Sequence, residues 1–180
     1  MHIRFPTLQD VNACFSVDGT VETHYVWQAH RSLEANRFAI TLQRVRLPRA
    51  MRLSYPPLGD SLIRRYEERK GLWVAVEQGH VIGFAEVDGE PEEGLAWLRH
   101  LIVDRPHRGR GVGTRLLEKA MQSALDAGLN RMMCVVNAKN DPAIQFLKNR
   151  GFTTSGYNDA YFRSGDIALY LVRPLRRRMR

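Results

Sequence analysis

Cysteine is scarce in this chain: Cys14 and Cys134 are the only two in 180 residues. They are too few for a disulfide framework and too far apart for a Cys-x-x-Cys redox or zinc pattern, so both read as buried thiols. The histidines, His2, His24, His30, His80, His100 and His107, show no ligand spacing, and no metal site is expected. No uncharged apolar run approaches the ~18 residues of a membrane span, and the longest, such as 132–136, have strand length. A soluble chain without a membrane partner is expected. The opening Met1-His2-Ile3-Arg4-Phe5-Pro6 lacks the apolar core and small-residue cleavage site of an export signal, which places the expected location in the cytoplasm. Lysine is also rare, 4 against 23 arginines.

What is present is an ordinary globular composition, 44% hydrophobic and 26% charged, with a net charge of +8. At this length a fold buries roughly 70% of its unfolded surface, enough for a core without staples. One domain over 1–172 is expected, followed by a basic tail over 173–180. That tail holds Arg173, Arg176, Arg177, Arg178 and Arg180, and the preceding residues are only mildly basic at +3.

The pattern predicts a strand over 3–5 and a helix starting near Thr7, with Asp10 three residues on. Alternation at Phe38, Ile40 and Leu42 predicts a strand over 38–47, ended by Pro48 and partnered by 51–55. Leu62, Ile63 and Tyr66 suggest a short helix stopped at Gly71. Strands follow over 72–77 and 81–87, joined by a turn through Gln78-Gly79-His80, and then over 95–103. Val112, Leu116, Leu117, Ala120, Met121 and Ala124 form one apolar stripe of a helix closed by Gly128. A strand over 131–136, a helix led by Pro142 and two strands over 152–162 and 166–172 complete the chain.

Between strand and helix lies Arg108-Gly109-Arg110-Gly111-Val112-Gly113-Thr114. Three glycines let backbone amides approach an anion, the helix N-terminus carries partial positive charge, and two arginines add formal charge. The spacing fits neither the dinucleotide fingerprint, which would need glycine where Thr114 stands, nor a Gly-Lys-Ser/Thr nucleotide loop.

What fits is Arg-x-x-Gly-x-Gly at Arg108, Gly111 and Gly113. With Leu101-Ile102-Val103-Asp104 before it, and Asn137, Asn140, Ala143, Ile144, Phe146 and Gly151-Phe152 after it, the chain resembles the GNAT superfamily of acyl-CoA-dependent N-acetyltransferases. The resemblance covers 72–172 well and 1–15 loosely. It implies a mixed α/β fold: a twisted, mostly antiparallel sheet of about six to seven strands with helices on both faces. It implies acetyl-CoA as co-substrate, with Leu101, Ile102 and Val103 offering backbone hydrogen bonds to the pantetheine arm. Arg108, Gly109, Arg110, Gly111, Val112, Gly113 and Thr114 would hold the pyrophosphate, and Asn137, Asn140, Ala143 and Phe146 would line the far wall of the groove.

The implied reaction is direct attack of a primary amine on the thioester in a ternary complex. Relatives often place a tyrosine acid one residue after the position of Phe146, where this chain has Leu147, and some place a glutamate base where it has Trp97. The remaining base candidates are Glu86 and His100. Glu86 shares a strand face with Ile82 and Phe84, and His100 is read as sharing one with Leu98 and Ile102. Tyr161 is the candidate acid, with Tyr157 and Tyr170 or solvent as alternatives. Each candidate also has a structural reading: Glu86 as the polar end of a strand, His100 as a satisfied core histidine.

The acceptor is an amine of a small molecule, a protein N-terminus or a lysine. Glu22 and His24 could border its site, and Glu90, Glu92, Glu93 or Asp159 could favour a polycation. The alternative is a non-catalytic RNA- or ribosome-binding module using the basic tail and the arginines at 31, 37, 44, 46, 49 and 52. No aromatic-interleaved motif accompanies them, and no specific nucleic acid is expected. Assembly as a homodimer is compatible with these features.

Overall fold

A computed structural model describes residues 1–55 and 58–176. Arg177, Arg178 and Arg180 of the expected tail, and the Pro56-Pro57 loop, lie outside the described residues. The main sheet has seven strands in the order β1-β4-β5-β6-β7-β9-β8 and is mostly antiparallel, with a separate two-stranded sheet, β2-β3. The chain forms two compact units. The first comprises Met1–Gly19, Tyr55–Cys134 and the stretch from Arg173, and the second Thr20–Ser54 with Val135–Val172. Among the described residues no helix is long and apolar enough to cross a membrane.

In the first unit, β1 (His2–Arg4), β4 (Leu72–Glu77), β5 (His80–Glu90) and β6 (Leu95–Val103) are antiparallel neighbours. The β4–β5 turn places Gln78 and Gly79 at φ 51° and 83°, the left-handed pair that suits the twist of a tight hairpin. One sheet face carries Leu72, Val74, Phe84 and Ile102, packed with Val11 and Cys14 of α1 (Leu8–Cys14) and Leu62 of α2 (Ser61–Glu67). The start of α1 is fixed as expected: Asp10 N–H donates to Thr7 Oγ1, and Thr7 N–H donates to Asp10 Oδ2 at 2.6 Å. The opposite face is covered by α3 (Val112–Asp126), whose Val112, Leu116, Leu117, Ala120 and Ala124 are buried as the stripe predicts. β6 also pairs in parallel with β7 (Arg131–Asn137), from Leu95↔Arg131 to Trp97↔Met133.

The second unit departs most from the sequence reading. The strand expected over 38–47 is part of a hairpin between β2 (Val21–Glu34) and β3 (Arg37–Leu53). Pro48 does not end it. The register jumps from Thr23↔Met51 to Tyr25↔Arg46, so Pro48 sits in an irregular stretch opposite His24, where its missing N–H breaks no ladder bond. Beside the hairpin stands α4 (Asp141–Lys148). Buried Asp141, in its first turn, accepts from Trp27 Nε1 at 3.0 Å and from Arg44 Nε and Nη2 at 2.8 and 2.7 Å. Burial pulls the Asp141 carboxyl up, and the bonds from Arg44, Gln145 and Trp27 outweigh it and hold it below the usual range. β8 (Thr153–Asn158) stops short of the expected 162, because 159–167 turn away from the ladder before β9 (Ala168–Pro174). β9 also takes in Arg173, so the strand runs into the basic stretch expected as a tail.

Candidate active site

Two neighbouring features of the first unit concentrate its chemistry: the glycine loop entering α3, and a buried polar chain on the α1/α2 face of the sheet. The loop leaves β6 and places Gly109 and Gly111 at φ 75° and 79°. Only glycine holds that geometry without strain, and a Cβ at either position would meet no atom within 4 Å. The loop surface is therefore open. Gly111 is the N-cap of α3 and has no side chain with which to cap it, so first-turn amides such as those of Val112 and Gly113 face outward at the positive end of the helix.

The two arginines do not simply add charge to this surface. Arg108 Nε donates to the Val103 carbonyl at 2.9 Å and its Nη2 to the Asp18 carbonyl at 2.7 Å, tying the loop to the end of β6. Arg110 pairs with Glu77 at 3.0 Å. Leu101, Ile102 and Val103 occupy the last turn-free stretch of β6. The β6–β7 pairing stops at Trp97↔Met133, so among the described residues no strand is hydrogen-bonded to that edge of β6 from 98 to 103. This is a backbone edge on which an extended amide-bearing chain could pair.

In the second unit, Asn140 caps α4 by accepting from Ala143 N–H at 3.2 Å. Asn137 donates to Asp166 at 3.0 Å and accepts from Lys139 N–H at 2.8 Å. The Phe146 ring is half-buried beneath the Arg150 guanidinium, 3.7 Å from its centroid. These are the strand-end and capping roles the residue types suggest, and they leave the groove-lining role to be tested.

Glu86 and His100 are brought together. They are Cα partners across β5–β6, and the next pair is Val87↔Leu98, so Arg99 is an extra residue bulged out of β6. The bulge corrects the expected face of His100. It shares a face with Glu86, Phe84 and Ile102, whereas Leu98 is turned to the other face with Val87. His100 Nε2 lies 3.5 Å from Glu86 Oε2, and His100 Nδ1 lies 2.7 Å from the Tyr55 hydroxyl. Glu86 is 1% exposed, accepts from Ser61 Oγ at 3.0 Å and has Arg65 Nε 3.7 Å away. Arg65, itself buried, spans Asp88 at 2.7 Å and Glu68 at 2.8 Å. Tyr55, Ser61 and Arg65 carried no signal in the sequence, because they precede or lie within a short helix and share no motif with either strand.

Burial pushes the Glu86 carboxyl up, against the lowering effects of the Ser61 hydrogen bond and the Arg65 and Arg99 charges. Burial, and then Arg99, pushes His100 down to about 4, so its imidazole is neutral at neutral pH. Burial and the Glu86 charge raise the Tyr55 phenol.

A depressed histidine makes the unfolded chain the better proton acceptor between about 6.5 and about 4. The His100 contribution is therefore present above the unfolded value and is lost as pH falls through that window. Glu86, raised, works with the opposite sign at the start of its own titration. A His100→Gln variant should show a flatter fall in stability between pH 6.5 and 4 than the parent by denaturant unfolding, and parallel curves would contradict the assignment.

Among the described residues Tyr161 has no hydrogen bond, ion pair or ring contact with Glu86 or His100. It belongs to the second unit, is 48% exposed, and makes edge contacts with Phe162 and Tyr170. Trp97 donates to Glu90 at 2.9 Å under the Arg99 guanidinium, and can take no proton. Of the other acids, Glu93 faces Arg131 and Asp159 pairs with Arg31. Glu22 stands opposite Arg52 in the hairpin, and exposed His24 sits in its irregular stretch. Buried Cys134 has its thiol pushed up to about 12 by burial, the opposite of an activated nucleophile.

Comparison with known proteins supplies the family. The model of the acetyltransferase (GNAT) family matches residues 27–152, and the chain belongs to that family. Peptidyl-lysine N-acetyltransferase YjaB of Escherichia coli is 32% identical over 101 residues, 56% of this chain and 61% of that protein. Streptothricin acetyltransferase of Streptomyces lavendulae is 29% identical over 100 residues, 53% of each. The chain thus matches only half to three fifths of these relatives' lengths. Among solved structures, nourseothricin acetyltransferase superposes with a TM-score of 0.83 at 24% identity, covering 97% of this chain and 98% of that one. A Bacillus anthracis protein provisionally assigned as a streptothricin acetyltransferase, solved with acetyl coenzyme A, gives 0.76 at 20% identity over 96% and 98%. These structures establish the shared mixed α/β fold.

Proposed function

We propose that the chain is an acetyl-CoA-dependent N-acetyltransferase that acetylates a primary amine by direct attack. The observation that carries this reading is the α3 entrance, where a helix N-terminus without a side-chain cap follows a left-handed glycine loop with open space over it, directly after a β6 edge that has no strand partner among the described residues. When bound, acetyl-CoA supplies the acyl group as an activated thioester. The amides of 109–114 hold the pyrophosphate, with Arg108 fixing the loop to Val103 and Arg110 at its rim. Leu101, Ile102 and Val103 hold the pantetheine arm by backbone pairing. Asn137, Asn140, Ala143 and Phe146 are the further cofactor-binding candidates, and Tyr161 is the candidate for returning a proton to the thiolate.

Glu86, with His100, removes the ammonium proton from the acceptor, since only a neutral amine can attack. Cys134 takes no part. The relatives are named for acetylation of peptidyl lysine and of streptothricin, and this chain is read as acting on a primary amine of that kind. A nucleic-acid module is less well supported: Arg44 and Arg31 of its proposed surface are engaged by Asp141 and Asp159.

Calorimetric titration with acetyl-CoA tests the reading. Intact protein should bind, and a folded Gly111→Val, Gly113→Val variant should bind at least about tenfold more weakly, because side chains at the helix entrance displace the phosphate from the amides. Absence of binding to intact protein would overturn the proposal.

A further inference from the structure

We infer that Tyr55, His100 and Glu86 form a proton-transfer chain for the acceptor amine, with the Tyr55 hydroxyl as its outer end and Gly19 as the residue that seats Tyr55. The inference rests on the transferase reading above and extends it to residues outside the family motif.

Glu86 is the inner end, 1% exposed, with His100 and Tyr55 both half-buried on its outer side. The hydroxyl-to-Nδ1 contact is 2.7 Å and the Nε2-to-carboxylate contact 3.5 Å. With Glu86 ionised its carboxylate accepts only, so this chain uses the tautomer that carries the imidazole hydrogen on Nε2 towards Glu86, leaving bare Nδ1 to accept from the Tyr55 O–H. His100 immediately precedes Leu101–Val103 on β6, so the outer end of the chain lies beside the edge assigned to the thioester arm.

Among the described residues the groups facing this chain are Arg99 from β6, Asp88 and the Phe84 ring from β5, and Ser61 and Arg65 from α2. Gly19 belongs to the arrangement for a steric reason. A Cβ there would lie 2.8 Å from Tyr55 Cβ and 2.9 Å from its Cγ, so any side chain displaces the tyrosine.

The step balances without a further reactant. The acceptor ammonium gives a proton to the Tyr55 oxygen as the Tyr55 proton passes to Nδ1 and the Nε2 proton passes to Glu86. The freed nitrogen forms the C–N bond while the C–S bond breaks and sulfur keeps the electron pair. The second nitrogen proton balances the one the thiolate takes up. After product leaves, Glu86 gives its proton back to Nε2, Nδ1 gives its proton back to the Tyr55 oxygen, and the Tyr55 hydroxyl releases one proton to solvent, which restores the starting tautomer.

The test compares wild type, Tyr55→Phe and Gly19→Ala. Acetyl-CoA binding is measured by calorimetry. Turnover is measured with a panel of primary amines: a lysyl peptide, an alanyl peptide and streptothricin. His100 is followed by NMR titration. Expected are unchanged acetyl-CoA affinity, kcat lowered about tenfold or more in both variants with the KM for acetyl-CoA within about twofold, and a changed pH–rate profile. Without an enzyme reaction, Tyr55→Phe should raise the His100 midpoint by about one pH unit, because the lost hydrogen bond favoured the neutral ring.

Unchanged kcat in both variants, or an unmoved His100 midpoint in Tyr55→Phe, overturns the chain while leaving the transferase reading intact. Failure of wild type to bind acetyl-CoA, or to acetylate any amine of the panel, overturns both.

Discussion

Replacing Gly71 by alanine is expected to destabilise the protein by roughly 3–5 kcal/mol, measured by denaturant unfolding. Gly71 sits at φ 69°, and its added Cβ would lie 2.1 Å from the Val87 carbonyl oxygen. The left-handed backbone alone costs an ordinary residue about 1–2 kcal/mol. The overlap adds more, because the obstructing atom is backbone and cannot rotate away. Val87 is held there by its own N–H, which donates to the Gly71 carbonyl at 2.7 Å. Relief therefore requires β5 to shift at the point where Glu86 faces His100, and the variant should lose activity out of proportion to any loss of folded protein. A change below about 1 kcal/mol would show that the α2–β4 connection is far more compliant than its packing implies.

The parts of the fold readable in the sequence are those in which local chemistry and tertiary burial agree. The Thr7/Asp10 cap, the α3 stripe closed by Gly128, and strands β4 and β6 needed only periodicity and turn residues. The hairpin β2–β3 was only partly readable because its pattern is mixed: Phe38 and Ile40 suggest a strand, while Leu33 and Phe38 are left exposed at 82% and 59% and Pro48 interrupts the run. Alternation presumes one wet and one dry face, a condition this hairpin meets only where α4 covers it. The turn before α3 was readable because left-handed backbone, found at Gly109 and Gly111, favours glycine.

The Glu86–His100 contact was not readable, since a one-residue bulge moves His100 relative to Leu98 without any mark in composition. Tyr55 and Ser61 reach the chain through a loop and a seven-residue helix, neither of which carries a spacing rule. Strong local signals thus outlined the proposed cofactor side, whereas the proposed proton-handling side depends on long-range register.

Glu86→Gln should lower kcat/KM by about 10²- to 10³-fold, the range for removing a positioned general base. The substitution keeps the side chain's shape and leaves an amide oxygen to accept from Ser61, while Arg65 retains Asp88 and Glu68. The fold should persist. In the parent, kcat/KM should fall on the acid side as the carboxylate takes a proton, with the limb displaced above the ordinary value of 4.5 because burial raises Glu86. In the variant that limb should be missing over the same range, leaving a low rate governed by the amine's own ionisation.

A structural role for Glu86 makes the opposite forecast. If its task is to neutralise buried Arg65, the variant loses stability but the surviving folded protein retains the parental kcat/KM and the acid limb. Measuring unfolding and the pH–rate profile on the same preparation therefore separates a proton acceptor from a counter-ion, because the carboxylate's charge enters the first as a rate and the second only as a free energy of folding.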